Sequence, residues 1–404
     1  MIIEGGVSIN GSAKCLELFS QANGSNAYIP HWTSIRNWLL RIGLAQLVIP
    51  VERATDWVWK VDCSIQIGIR KCLVIVGVRL SAISPKTSLT FQDMRLIGLH
   101  VLESAKKEDV YRCLAAECVR HGAPTAIIDD HGAEIWGGVR LLQQNNPTIR
   151  EFYDPKHKAA CLLKAQLLHC PMWKDFQHQL GQSKFASQQT LVGYATAPSQ
   201  RSKARFMNLE PLVRWAIAIL HRLDKPIPKE STPEREAFQK HFQWLLAFRD
   251  SIAQWNGWLL AIRETTRTIA VDRLSETSVD QLEARLNAIP YSNPITAQLI
   301  AFLREEAKKL LPNEQMSVST EILESCFGKL KHIERTQSTS GFTSLVLSLG
   351  AMLASPTEEN IHQSLETVKQ KDVTNWAKQA IGQTLQSARK VILGIGSSRA
   401  TKTQ

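Results

Sequence analysis

The sequence has no Cys-X-X-Cys pair, although eight cysteines occur among its 404 residues. Without such pairs there is no support for a zinc ribbon or for a thioredoxin-like redox site. The cysteines lie mostly in apolar or helical contexts, where a free cysteine behaves as a small buried hydrophobic residue. These features predict a protein of a reducing, cytoplasmic compartment.

Long apolar runs are also missing. No segment approaches about 18 uninterrupted apolar residues, so we expect no membrane-spanning helix and no membrane partner. The segment 1–14 lacks a basic flank followed by an apolar run, and no secretory signal is therefore predicted. Neither a Gly-X-Gly-X-X-Gly nor a Walker-type loop is present, which leaves a nucleotide-dependent enzyme without support.

Acidic residues are in deficit, with 37 Asp and Glu against 48 Lys and Arg. The resulting formal net charge is +11, and the isoelectric point is near 9.3. This balance favours a polyanionic partner, with nucleic acid first and an anionic membrane surface as its rival. A basic protein without a nucleic-acid role is the alternative, since charge alone carries no information about chemistry.

The first 50 residues have the pattern of small helices. Between residues 31 and 47, apolar residues recur at intervals of three and four, as on one face of a helix. Arg36 and Arg41 lie off this apolar stripe. Two helices around the polar turn at 21–26 are compatible with a helix-turn-helix in which these arginines contact DNA. An amphipathic helix pair without a DNA role is the alternative.

Residues 51–155 have an α/β pattern. Strand-forming runs are predicted at 57–65, 71–78, 91–102, 125–128 and 149–153, and helices at 108–121 and 136–144. The second run is almost continuously apolar, which is typical of a strand buried on both faces. The order of these elements predicts a mixed five-stranded sheet with helices.

Residues 156–315 show helical periodicity almost throughout, interrupted by a polar segment at 181–205 that we expect to be a loop. This segment contains the basic cluster Arg201, Lys203 and Arg205. Five of the eleven tryptophans fall in this region, which is enough aromatic bulk for a separate core. An all-helical domain inserted into the α/β domain is therefore predicted. The α/β domain resumes with a helix at 316–355, and a C-terminal helix and tail occupy 356–404.

Three carboxylates stand where an acidic residue is unusual. Asp62 interrupts the first strand run, Asp130 follows the fourth, and Glu324 lies among apolar residues of a helix. A buried acidic residue is unfavourable unless compensated, and open α/β sheets place their ligands just past the ends of central strands. Phosphoryl transfer with two divalent ions needs isolated carboxylates from distant segments, because Mg²⁺ prefers oxygen ligands.

Each carboxylate also has a structural explanation. Asp62 is alternatively a solvent-facing residue at a strand end, and Asp130 a turn residue, with its neighbour Asp129 as a competitor. Glu324 is alternatively a solvated helical residue, and Glu321, three residues earlier, is the competing candidate.

Three segments resemble the catalytic motifs of bacterial insertion-sequence DDE transposases. They are 59–77, similar to the strand with the first Asp, 127–134, similar to the strand with the second Asp, and 320–331, similar to the Glu helix. In that pattern the Asp directly precedes a His/Gly turn, which favours Asp130 over Asp129. The motifs with their intervening elements cover about residues 50–350, and their order and spacing together carry the resemblance.

The resemblance implies an RNase H-like catalytic domain of the retroviral integrase superfamily with an inserted helical domain. Asp62, Asp130 and Glu324 would hold two Mg²⁺ (or Mn²⁺) ions. The implied partners are double-stranded DNA, as element terminal repeats and as target, and a second copy of the chain in a homodimer on DNA. The implied location is the bacterial cytoplasm, at the nucleoid when DNA is bound. A catalytically inactive, domesticated or truncated transposase-derived DNA-binding protein is the alternative.

Further residues are candidates for contacting DNA near the three carboxylates. Lys331 lies two helical turns after Glu324 and is expected to contact DNA phosphate, together with Lys329, Arg335 and the cluster Arg201, Lys203 and Arg205. Each of these is alternatively an ordinary surface cation. Asp154 and His157 follow the fifth strand near the expected active-site edge. His157 is a candidate for contacting the scissile phosphate, with an ordinary loop histidine as the alternative.

In relatives that pass through a DNA hairpin, a Trp of the inserted domain stacks on a flipped base. Trp244, Trp255 and Trp258 are candidates for this role, with a place in the core as the alternative. Many related transposases carry a Tyr and an Arg seven and four residues before the Glu, where Ser317 and Thr320 stand in this chain. This departure sets the chain apart from that subgroup.

Overall fold

The computed structural model describes residues 1–25, 27–67, 70–83, 89–200, 206, 209–225, 232–336, 343–382 and 392, without the side chains of 64–67 and 70. The chain forms two compact units. Unit 1 comprises Met1–Phe152 and Thr320–Gln404, and unit 2 comprises Tyr153–Ser319. Among the described residues, no helix has both the length and the apolarity needed to cross a membrane.

The regular elements follow in chain order. The strands are β1 Trp57–Ile67, β2 Arg70–Arg79, β3 Arg95–Leu102, β4 Ala126–Asp129 and β5 Arg150–Tyr153. The helices before β5 are α1 Ile2–Gly5, α2 Ile9–Ala22, α3 Trp32–Val48, α4 Lys107–His121 and α5 Ala133–Asn145. Unit 2 contains α6 Pro155–Leu168, α7 Pro171–Ser187, α8 Glu210–Leu223, α9 Pro233–Phe242, α10 Arg249–Val271, α11 Glu276–Asn287 and α12 Ile295–Ala307. The last helices are α13 Glu321–Arg335, α14 Ser348–Leu353, α15 Glu358–Thr367 and α16 Gln370–Trp376.

The five strands form one mixed sheet in the order β3-β2-β1-β4-β5. β1 pairs antiparallel with β2 and parallel with β4, so it occupies the centre of the sheet. The prediction of an α/β architecture with a mixed five-stranded sheet is therefore confirmed. The sequence predicted β2 from its continuous apolar run, and Leu73, Val74, Ile75 and Val76 of this strand are all buried.

α4 and α5 cover one face of the sheet. Their residues Val110, Leu114, Ile135, Val139 and Leu142 join one apolar cluster with residues of β1, β2, β3 and β4. From β1 this cluster includes Trp57, Trp59 and Val61, which alternate along the strand and so point to the same face. The intervening residues of β1, including Asp62, therefore belong to the opposite face.

α3 is a core helix of unit 1. It packs against α14, α15, α16 and β3, and it buries Leu39, Leu40 and Leu44. α3 crosses α14 closely because Gly43 and Gly350 face each other without side chains at the crossing. The predicted separate N-terminal segment 1–50 thus falls in the same compact unit as the sheet.

Unit 2 has its own aromatic core. The ring of Trp255 lies 5.1 Å from that of Trp173 and 5.0 Å from that of Phe176, both in edge-on geometry. The prediction of a loop beginning at residue 181 was wrong, because α7 continues to Ser187. Ser183 and Ser187 are buried on the same side of α7 as this aromatic cluster, and Gly181 meets no neighbour. Tertiary packing therefore outweighs the polar composition of this segment.

We expect Gly43→Ala to destabilise unit 1. The added methyl group would overlap the carbonyl oxygen of Leu347, so the backbones of α3 and α14 must separate. Overpacking of this kind costs about 1–3 kcal/mol, which exceeds the gain of about 1 kcal/mol in helix propensity. Gly328→Ala on α13 is the matched control, since nothing lies within 4 Å of its added methyl group. Thermal unfolding should show a lower midpoint for Gly43→Ala and an unchanged or higher one for Gly328→Ala; equal midpoints would contradict the close crossing.

A buried charge network joins β3 to α4. Glu117 of α4 lies 3.0 Å from Nε2 of His100 and 3.2 Å from Nε2 of His121, with Arg120 at 3.1 Å. Burial would raise the pKa of Glu117, but the contacts with His100 and His121 prevail and lower the pKa to about 2. Burial likewise opposes charge on His100, but Cys113 and Glu117 raise its pKa to about 9.

The network should make stability depend on pH. The contribution of Glu117 is present above its ordinary pKa of 4.5 and is lost as pH falls towards 2. The contribution of His100 is present below its ordinary pKa of 6.5 and is lost as pH rises through 9. We therefore expect the loss of unfolding free energy in Glu117→Gln to peak between pH 4.5 and 6.5, on the order of 3 kcal/mol. Urea denaturation from pH 3 to 9 measures it, with exposed Glu108→Gln of the same helix as control; a loss independent of pH would argue against the network.

Candidate functional site

The pairing of β1 with β4 brings Asp62 and Asp130 to the same level of the sheet. The parallel register joins Val58 with Ala126, Trp59 with Ile127 and Lys60 with Ile128. Two residues beyond the last of these pairs, Asp62 lies in β1 and Asp130 directly follows β4. If the register is continued to these two residues, they come to the same level on strands about 4.8 Å apart. Both side chains are half-buried, so they retain access to solvent.

Two consecutive Asx turns shape the chain after β4. Oδ1 of Asp129 accepts a hydrogen bond from the N–H of His131 at 2.7 Å. Oδ1 of Asp130 accepts one from the N–H of Gly132 at 2.9 Å, at the start of α5. These bonds hold the two adjacent carboxylates in fixed orientations. Asp129 is fully buried whereas Asp130 is half-buried, so only Asp130 combines accessibility with the level of Asp62.

The environment of Cys63 supports the proximity of the two carboxylates. Burial is the main cause that raises the pKa of the Cys63 thiol to about 12, and the charges of Asp62 and Asp130 raise it further. Lys71 of β2 acts in the opposite direction on the same thiol. Both carboxylates and Lys71 therefore lie within electrostatic range of Cys63. Lys71 also forms an ion pair with Glu134 of α5, a residue whose role could not be seen from the sequence.

Glu324 lies on α13, which packs against β1. The buried face of α13 consists of Leu323, Cys326, Phe327, Leu330 and Ile333, at intervals of three and four residues. None of these belongs to the described cluster that packs under α4 and α5, which fits α13 covering the opposite, Asp62-bearing face. Glu324 is half-buried beside the buried face in the first turn of α13, whereas Glu321 is exposed. This difference in burial favours Glu324 over Glu321 as the third carboxylate.

The predicted phosphate contacts divide into three groups. Lys331 and Arg335 are exposed on α13, and Lys329 places Nζ 4.3 Å from the centre of the Phe91 ring. Arg201, Lys203 and Arg205 lie outside the described residues. The arginines of α3 form the third group and are engaged within unit 1.

Arg36 and Arg41 hydrogen-bond to other segments of the chain and do not lie on an open surface of α3. Arg41 donates from Nε to the carbonyl oxygen of Val368 at 2.7 Å, and its guanidinium also bonds to the carbonyl oxygen of Leu365. These carbonyls belong to the C-terminal end of α15, where a positive charge is favourable. Arg36 reaches Ser344 at 3.4 Å, and burial lowers its pKa. The sequence pattern placed both residues off the apolar stripe, but the C-terminal helices cover that side of α3.

Asp154 and His157, the candidate site residues that follow β5, both lie at the start of α6. Asp154 is buried at the start of α6, where Oδ1 accepts a hydrogen bond from the N–H of Lys156 at 2.7 Å. His157 is half-buried in the first turn of α6, so the expectation that it lies in a loop was wrong. Pro155 at the first helical position and the Asp154 cap start the helix earlier than its apolar pattern indicated.

Of the candidate stacking tryptophans, two are inside the core. Trp255 is fully buried, and Trp258 is buried with Nε1 donating to the carbonyl oxygen of Asn293 at 3.1 Å. Neither ring has a face open to a base in this conformation. Trp244 is half-buried and lines a groove of about 500 Å³ together with Lys240 and His241. Among the three, Trp244 alone therefore has the exposure that stacking requires.

A second group of metal-ligand type residues lies beside Asp130. One potential ligand atom from each of Asp129, His131 and Glu151 lies within 4.8 Å of the others. Burial, followed by the charge of Glu151, raises the pKa of Asp129 to about 7. The sequence pattern indicated Asp129 only as a competitor of Asp130 and gave no signal for His131 or Glu151. Their meeting depends on the placement of β5 beside β4, for which no local pattern exists.

The donor chemistry of Asp62, Asp130 and Glu324 suits magnesium. All three supply carboxylate oxygens, which Mg²⁺ prefers, and all three are half-buried, so water or phosphate can complete the coordination. The residues present thus fit the implied ions. No protein-family model and no curated protein sequence matches the chain, so the assignment depends on the geometry and on the resemblance of the motifs.

Magnesium should stabilise unit 1 through these carboxylates. Because a ligand that binds only the folded state raises the unfolding midpoint, we expect Mg²⁺ at millimolar concentration to raise the midpoint of the wild type by a few degrees. Asp62→Asn, Asp130→Asn and Glu324→Gln should each remove most of this increase, whereas Glu321→Gln should retain it. Differential scanning calorimetry with Mg²⁺ or EDTA makes the comparison, and a full response in Asp130→Asn would place the ion elsewhere.

Proposed function

We propose that the protein is a metal-dependent DNA-cleaving and DNA-joining enzyme of the DDE transposase type, with an RNase H-like domain formed by unit 1. The observation that supports the proposal is the parallel register of β1 and β4, which, continued two residues past its last pair, brings Asp62 level with Asp130. The third carboxylate, Glu324, comes from a helix that packs against β1. Three carboxylates from segments far apart in the chain are what two-ion phosphoryl transfer requires.

The proposed substrate is double-stranded DNA, both as the terminal repeats of the element and as the target. The net charge of +11 supports a polyanionic partner. Lys331 and Arg335 supply exposed positive charge on the same helix as Glu324. Such residues bind phosphates and position the duplex, but they do not read its sequence. Since insertion-sequence transposases cut paired ends, the proposed active form is a homodimer on DNA.

In the proposed reaction, Asp62, Asp130 and Glu324 hold two Mg²⁺ (or Mn²⁺) ions. When bound, such ions activate water or a DNA 3′-hydroxyl and stabilise the negative charge that develops on the phosphate. The protein's own contribution is to hold the three carboxylates in position. The Asx turn from Asp130 to Gly132 fixes one carboxylate, the β1 backbone fixes the second, and the packed face of α13 fixes the third. Lys331 and Arg335 would orient the phosphate backbone beside them.

A catalytically inactive, transposase-derived DNA-binding protein is the second candidate. The observation in its favour is the position of α3, whose arginines bind within unit 1 and not at an open surface. If α3 does not read DNA, recognition of element ends has to come from another part of the protein. Binding without cleavage would support this candidate, and the following experiment separates the two.

The test is a nicking assay on duplexes that carry the element ends, with Mg²⁺ or EDTA. We expect Mg²⁺-dependent products with 3′-hydroxyl ends, and a loss of at least about 100-fold in rate for Asp62→Ala, Asp130→Ala and Glu324→Ala. DNA binding by these variants should persist. Lys331→Glu is the matched control for binding, since it should weaken binding and flatten its salt dependence. Wild-type cleavage that survives in Glu324→Ala would overturn the assignment of the third carboxylate, and binding without any cleavage would overturn the enzymatic proposal.

A further inference from the structure

Asp129, His131 and Glu151 form a cluster distinct from the three proposed magnesium ligands. Asp129 is the last residue of β4, His131 lies in the turn that follows, and Glu151 lies in β5. One potential ligand atom from each lies within 4.8 Å of the other two. At metal–ligand distances of about 2.1 Å, a single ion would draw these atoms slightly closer together. Asp129 and Asp130 are adjacent in an extended segment, so their side chains leave the chain in different directions.

The cluster concentrates negative charge in the interior. Asp129 is fully buried, and Glu151 is 5% exposed. Nε2 of His131 is in close hydrogen-bond contact with Oε1 of Glu151. Buried carboxylates without full compensation are unfavourable. A divalent cation bound between Asp129 and Glu151 would lower this cost.

One carboxylate oxygen of this cluster, Oδ2 of Asp129, is not hydrogen-bonded within the described part of the chain. Oδ1 of Asp129 accepts the hydrogen bond from the N–H of His131, but buried Oδ2 has no hydrogen-bond partner among the described residues. Buried polar atoms in native proteins are nearly always paired with protein, water or an ion. This oxygen therefore indicates a ligand, independently of the spacing of the three residues.

The backbone holds His131 in place at some conformational cost. Its φ is +56°, in the left-handed region, which is uncommon for residues other than glycine, although Asn, Asp and His enter it more often than most. Strained backbone of this kind is retained where the surroundings require a particular side chain at that position. The side chain is 29% exposed, so the ring lies between the buried carboxylates and solvent. An ion held here would retain an open side for water.

We propose that Asp129, His131 and Glu151 bind a divalent transition-metal ion of the zinc type, separately from the proposed magnesium centre. The imidazole nitrogen decides the class of ion, because Mg²⁺ prefers ligand sets made only of oxygen. One nitrogen and two carboxylates suit Zn²⁺, which takes three protein ligands plus water at open sites. The bound ion would join the end of β4 to β5 and hold the turn that carries Asp130.

The experiment uses the full-length protein, freed of metal by a chelator and then titrated with ZnCl₂ in a calorimeter. We expect one Zn²⁺ per chain with micromolar or tighter affinity, and a decrease in affinity of at least about tenfold in His131→Asn and Glu151→Gln. Asparagine tolerates positive φ, so His131→Asn removes the ligand while preserving the backbone. Titration with Co²⁺ provides a second readout, since its visible ligand-field absorption should appear in the wild type and be lost in both variants.

Two control variants make the result specific. His332→Asn changes an exposed histidine of α13 and should bind Zn²⁺ as the wild type does. Asp62→Asn removes a proposed magnesium ligand and should also leave Zn²⁺ affinity unchanged, so failure of one centre is distinguishable from failure of the other. Near-ultraviolet circular dichroism checks that each variant is folded. The absence of Zn²⁺ binding to the wild type, or equal binding by folded His131→Asn, would overturn the proposal and leave the cluster as a hydrogen-bonding network.

Discussion

The parallel pairing of β1 with β4 is the contact on which the site depends. β1 is the central strand, and its neighbours on the two sides have opposite directions. On the β4 side, both chains advance the same way, so two carboxylates 68 positions apart in the chain arrive at the same level. A shift of one residue in this register would reverse the faces of the β4 side chains relative to β1. The buried apolar cluster under α4 and α5 opposes such a shift, because the shift would remove Ile127 from that cluster.

The two adjacent carboxylates at the end of β4, Asp129 and Asp130, lie in different surroundings. Asp129 points into a buried group with His131 and Glu151, and Asp130 stands level with Asp62. Each aspartate accepts a hydrogen bond from a backbone N–H two residues on, which fixes the orientation of both carboxylates. The arrangement places two proposed ligand sets of different composition next to each other, one of oxygen alone and one with a nitrogen. Each set favours a different class of ion, which would limit competition between them.

Local sequence patterns were sufficient to predict the strands of the sheet, but they did not predict contacts between residues far apart in the chain. Continuous apolar runs and turn residues located β2 and β4, and the order of strands and helices predicted the mixed five-stranded sheet. Long-range contacts were not predictable in the same way: Glu151 reaches His131 only through the placement of β5. Arg41 binds carbonyls of α15 more than 320 positions away along the chain. Likewise, the polar residues 181–187 become helical because unit 2 packs aromatic residues against α7.

Anomalous diffraction from crystals soaked in Mn²⁺ is the most direct test of the central claim, that Asp62, Asp130 and Glu324 form one divalent-ion centre. The account predicts anomalous density in contact with carboxylate oxygens of all three residues, at the level where β1 and β4 pair. Density that contacts Asp129 in place of Asp130, or a Glu324 carboxylate that does not reach the ion bound by Asp62, would contradict it.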